Sequence, residues 1–168
     1  MGTIDFSAIV RQHLKPLVLF ARQWDDLAAE DLAHDAFVRL AECVRDGQTP
    51  GNVVAWLYRV TRNAAVDRLR KIRQQSKHAE HFARNNVAWF VTCESGKKLI
   101  EEQIDEQIDG RTATERLQEL PLEQREVIVA HIWGGLSFRE IAALVGRSFS
   151  TVRRDFHKGL ETIRENLR

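Results

Sequence analysis

Apolar residues recur at three- and four-residue intervals along almost the whole chain, and no stretch alternates with the two-residue period of a strand. That pattern restricts the chain to helix packed on helix. Three prolines and nine glycines in 168 residues leave room for long helices. Ile9, Val10, Leu14, Leu17, Val18 and Ala21 mark a first helix from Phe6, with Pro16 as a point where it kinks or restarts. "AAEDLAHDAFVRLAECV" (28–44) marks a second, with Ala33, Ala36, Phe37, Leu40 and Val44 on one face. "DGQTPGN" (46–52) is a loop by its Gly, Pro and Asn. Residues 53–75 follow as a long helix whose Trp56, Leu57, Val60 and Ala64 are spaced for burial. Residues 76–112 lack a clean period, although Trp89 and Phe90 call for a place to bury. The expected plan is all-α: two small helical domains joined by a linker.

At 43% hydrophobic and 29% charged residues the composition suits a globular chain, and no apolar run approaches the ~18 residues that span a bilayer. The N-terminus lacks a basic stretch followed by an apolar one, so no secretory signal is expected. Cys43 and Cys93 are too few and too far apart for a disulfide framework, which favours a cytoplasmic setting. Net charge is +1, so charge is informative only where it sorts locally. Residues 59–77 hold seven basic side chains against the single acid Asp67. Residues 25–46 are the reverse, with seven acids against Arg39 and Arg45. The basic helix suits phosphate, and its acidic neighbour suits a basic protein partner, although either is also compatible with a plain solvated face.

"LSFREIAALVGRSFSTVRRDFHKGL" (136–160) reads as two helices and a tight turn. Ser137 with Glu140 forms a capping-box pattern, and Gly146 stands where the turn needs a left-handed backbone. Val152, Phe156, Leu160, Ile163 and Leu167 form one stripe for burial. The small Ala142, Gly146 and apolar Val152 have the offsets that let two helices cross closely in a DNA-binding helix-turn-helix. Ser150, Thr151, Arg153, Arg154, His157 and Lys158 are then left outward, and arginine and hydroxyl side chains suit bases and phosphates. Asp155 runs against this, because a carboxylate facing phosphate is repelled, unless it accepts from cytosine or orients Arg154. Trp56 is expected to pack, while Tyr58 is open between packing and base stacking. His78, His81 and Cys93 fit no strong zinc pattern, and Cys43 is expected to pack. No catalytic constellation, metal or cofactor is implied.

Two blocks resemble bacterial RNA polymerase sigma factors of the extracytoplasmic-function class. "AEDLAHDAFVRLAE" followed by "AWLYRVTRNAAVDRLRK" is similar to their second conserved region. "LQELPLEQREVIVAHIWGGLSFREIAALVGRSFSTVRRDFHKGLETIRENL" is similar to their fourth. The resemblance implies a region 2 domain over 1–76, a linker over 77–112 and a region 4 domain over 113–168. It implies docking on the clamp of core RNA polymerase through Asp31, His34, Asp35 and Arg39, with the flap as a further polymerase surface. It implies recognition and melting of the −10 promoter element through Arg59, Arg62, Asn63, Asp67, Arg68, Arg70 and Lys71, with the 46–52 loop capturing an unstacked base of the non-template strand. The duplex −35 element would fall to Arg147, Ser148, Ser150, Thr151, Arg153, Arg154, His157 and Lys158. An anti-sigma factor masking the polymerase-facing surfaces is the further partner implied. A free-standing helix-turn-helix regulator shares the last block but leaves the 55–71 block unexplained, and a nuclease lacks the clustered carboxylates it needs.

Overall fold

The computed structural model describes residues 5–75 and 117–165. These contain six α-helices and, among the described residues, no strand, so the all-α expectation holds. The chain divides into two compact units, one around each described stretch. The 76–112 stretch, with His78, His81, Trp89, Phe90 and Cys93, lies outside the described residues, as does Leu167.

The first unit holds α1 (Phe6–Arg22), α2 (Ala29–Arg45) and α3 (Val53–Gln75). Asp5 caps α1 by accepting the Ala8 N–H at 3.0 Å. The helix runs through Pro16, whose ring is buried, without ending there. Leu17, Leu19 and Phe20 of α1, Ala33, Ala36 and Leu40 of α2, and Leu57, Tyr58 and Ala65 of α3 are fully buried and form the core of this unit. Alanines on the inner face of α2 let its backbone come close to α1. The α2–α3 connection reverses at Gly47, which has φ 74°, and Asn52 caps α3 through the Ala55 N–H at 3.0 Å.

The facing of α3 differs from the expected one. Leu57, Tyr58, Thr61 and Ala65 are the buried set, while Trp56, Val60 and Ala64 are half-buried. The helix is therefore turned by about one residue, ~100°. The cause is Phe20, whose ring takes the Tyr58 ring at a centroid distance of 4.8 Å and so draws that side of α3 inward. Tyr58 is thus a core residue and not a platform for bases.

The second unit holds a helical end at 117–119, then α4 (Leu122–Ile132), α5 (Phe138–Val145) and α6 (Phe149–Glu165). α4 buries Glu126, Val127, Ile128, Val129, Ala130 and Ile132, so its neighbours cover it nearly all round. The capping box of α5 is formed. Ser137 Oγ accepts the Glu140 N–H, and Glu140 Oε2 accepts the Ser137 N–H at 2.7 Å. Gly146 ends α5 at φ 69°. Val152, Phe156, Leu160 and Ile163 are buried as the stripe anticipates. α6 meets α4 at Gly159, where a Cβ would stand 2.6 Å from Ile128 Cδ1, so only glycine permits this approach without a shift.

Candidate nucleic-acid and partner surfaces

The outer surface of α6 begins with three hydroxyls. Ser148 Oγ accepts the Thr151 N–H at 3.1 Å and lies 3.0 Å from Ser150 Oγ and 2.8 Å from Thr151 Oγ1. Capping thus holds the first turn rigid while Ser150 stays exposed. Arg153, Arg154, His157 and Lys158 follow, all exposed. The close-crossing turn between α5 and α6 leaves this face clear of the rest of the unit, and an exposed basic helix face of this kind fits a major groove.

Arg147 is placed differently from the rest of the set expected at the −35 element. Its guanidinium donates to Glu126 Oε1, to Asp155 Oδ2 at 2.6 Å and to the Glu123 carbonyl oxygen at 3.3 Å. The Glu126, Asp155 and Arg147 side chains are 4%, 15% and 21% exposed, so the cluster is largely removed from water. It joins α4, the turn and α6. Asp155 is therefore turned inward onto Arg147, with Arg154 Nε at 4.0 Å, and does not confront the surface where phosphate would lie.

On α3, Arg59, Asn63, Asp67 and Lys71 recur every four residues as one exposed stripe, joined by Arg70, which meets Asp67 at 3.4 Å. Two other basic residues of the expected set also brace the fold. The Arg62 guanidinium stands 6.0 Å over the Trp24 ring, and Arg68 Nε donates to Asp25 Oδ2 at 2.6 Å. Asp25 Oδ1 in turn accepts the N–H groups of Leu27 and Ala28, so Arg68 ties α3 to the start of α2.

On α2, Asp31, His34, Asp35 and Arg39 are all exposed. Sequence reasoning missed two apolar residues there. Val38 is 57% exposed among these charges, and Leu27, just before the helix, is 73% exposed. Val38 was findable, since it lies off the Ala33–Phe37–Leu40 face. Phe149, at the first turn of α6 and 46% exposed, was also missed.

The chain is similar to known proteins of one family. The Sigma-70 region 2 family matches residues 9–75, and the Sigma-70 region 4 family matches residues 111–163. RNA polymerase sigma factor CarQ of Myxococcus xanthus is 31% identical, with 83% of this chain aligned to 74% of that protein. ECF RNA polymerase sigma factor SigE of Mycolicibacterium smegmatis is 30% identical over 97% of this chain and 62% of its own length. The probable sigma factor RfaY of Xanthomonas campestris is 28% identical over 85% of this chain, which spans about a third of that protein (35%). In fold, the chain is similar to the sigma factor RpoE of Bartonella quintana, solved with the anti-sigma factor NepR. The TM-score is 0.68 and the identity 23%, over 98% of each chain. With both conserved regions present in order, the chain belongs to the sigma-70 family of RNA polymerase sigma factors, in its extracytoplasmic-function class.

Proposed function

We propose that this protein directs core RNA polymerase to promoters by recognising a −10 and a −35 element, and that it helps open the −10 duplex without itself making or breaking covalent bonds. The observation that carries the reading is the presence of regions 2 and 4, in that order, across residues 9–163 of one chain. A free-standing regulator has no use for the first of them.

In this reading residues 1–76 form the docking and melting domain, 77–112 the linker and 113–168 the duplex-reading domain. Asp31, His34, Asp35 and Arg39, with Val38 among them, face the polymerase clamp. The stripe Arg59–Asn63–Asp67–Lys71, flanked by Arg70, follows the melted strand, while Arg62 and Arg68 hold the helix in place. Ser148, Ser150, Thr151, Arg153, Arg154, His157 and Lys158 form the duplex-reading face. Two weak readers on one polymerase raise each other's effective concentration when their spacing matches the promoter. Because RpoE was solved with an anti-sigma factor, an analogous inhibitor is expected here, covering the acidic face of α2.

The test is co-purification with core polymerase followed by transcription from genomic fragments. Asp35→Arg is expected to abolish co-purification, Arg153→Ala to remove dependence on the −35 element, and Asn63→Ala to reduce open-complex formation. A chain that binds duplex DNA alone and ignores polymerase would overturn the proposal.

A further inference from the structure

Phe149 is 46% exposed, although it continues the apolar series of α6 (149, 152, 156, 160, 163) whose other members are buried. The stripe outruns the helices that cover it. Among the described residues, Phe149 meets the rim of the aromatic cluster, with its ring 6.4 Å from Phe138 and nearly perpendicular to it. Phe138 is itself fixed, stacked on His131 at 4.3 Å and edge-on to Phe156 at 5.2 Å. His131 Nδ1 is 2.7 Å from the Leu136 carbonyl oxygen, which can only accept, so the ring donates there and its orientation is set. Phe149 is therefore a large apolar side chain on a rigid support, left half in water beside Ser148 and Ser150.

Side chains lean toward a helix's N-terminus, so one in the first turn projects beyond the helix end. The N-terminal residues of a recognition helix are the ones that reach base edges in the major groove. Among the four bases, only thymine presents an apolar group there, its C5-methyl.

We propose that Phe149 reads a thymine in the −35 element by packing its ring on the C5-methyl group, with Phe138 as the positioning residue. This rests on the assignment of α6 to the −35 duplex. It adds a specificity determinant that the arginines and serines of that face do not supply, because they select hydrogen-bonding atoms and not a methyl.

The test uses holoenzyme assembled from the full chain and core polymerase. A −35 element is first enriched from a randomised duplex pool, and each thymine in it is then replaced singly by deoxyuridine, which removes only the methyl. Wild type is expected to lose affinity about fourfold at one thymine, the worth of one buried methyl-sized group. Phe149→Ala is expected to bind thymine and deoxyuridine equally there. Phe149→Leu, which keeps an apolar side chain, is expected to retain part of the preference. Arg153→Ala checks the underlying assignment. It should weaken −35 binding while leaving the methyl preference intact, and no effect from it would indict the duplex-reading face itself. Four results would overturn the proposal: an enriched element without thymine, wild type indifferent to every deoxyuridine, discrimination persisting in Phe149→Ala, or Phe149→Ala weakening core polymerase binding and not base preference.

Discussion

Replacing Arg147 with methionine keeps an apolar stem in the α4–α6 junction and removes the charge that neutralises Glu126 and Asp155. Both carboxylates lie largely out of water, with side chains 4% and 15% exposed. Removing one member of a buried ion pair costs about 3–5 kcal/mol, because the remaining charge is left without compensation. A surface arginine that only touches phosphate would cost under about 0.5 kcal/mol. The difference is large against a domain stability of ~5–15 kcal/mol. With a urea slope of ~1–3 kcal/mol/M, the midpoint of the second unit is expected to fall by at least ~1 M. Hydrogen exchange localises the effect. Amides of α4 are expected to lose about two orders of magnitude of protection or more, at ~1.4 kcal/mol per factor of ten, while those of α1 and α2 stay unchanged as an internal control. Pairing the change with Glu126→Leu removes the more deeply buried of the two stranded charges and is expected to recover much of the loss. The reasoning fails if Arg147→Met leaves α4 protection intact and instead lowers the salt slope of DNA binding by about one, the signature of a lost phosphate contact.

Gly159→Ala places a Cβ 2.6 Å from Ile128 Cδ1. Overpacking of about 1–3 kcal/mol is partly offset by the ~1 kcal/mol helix preference of alanine over glycine, so chemical denaturation should show a net loss of about 0–2 kcal/mol. On an Ile128→Val background the same change is expected to become neutral or stabilising. Burial holds the His13 imidazole below its usual pKa. The folded state therefore favours neutral His13, and the unfolded chain takes up the proton first as pH falls. The stability that follows is complete above about pH 6.5 and is lost below it. Denaturation of the first unit at pH 5.5 and 7.5 should show this, and His13→Leu should flatten the difference.

What was legible in the sequence is local. Ser137, Glu140 and Gly146 signal their cap and turn within three or four residues of their partners, and all three act as read. Asn52, read only as a loop residue, turns out to cap α3. What was hidden depends on distant partners. Arg147 and Glu126 are 21 residues apart, and nothing near either announces the other. Asp155 looked like a flaw in a DNA-facing helix until Arg147 was seen beside it. The rotation of α3 depends on Phe20, on another helix. Phe149 was hidden for the opposite reason. Its spacing is that of a core residue, and only the end of its covering layer leaves it exposed.

The central claim is that one chain positions polymerase through two separated contacts. Run-off transcription with purified core polymerase tests it most directly, on a promoter enriched by the holoenzyme and on the same promoter carrying five extra base pairs between its two elements. About half a helical turn puts the −35 element on the opposite side of the duplex. Strong transcription from the first template and near-complete loss on the second is the expected result. Equal transcription from both, or none beyond that of core polymerase alone, would contradict the account.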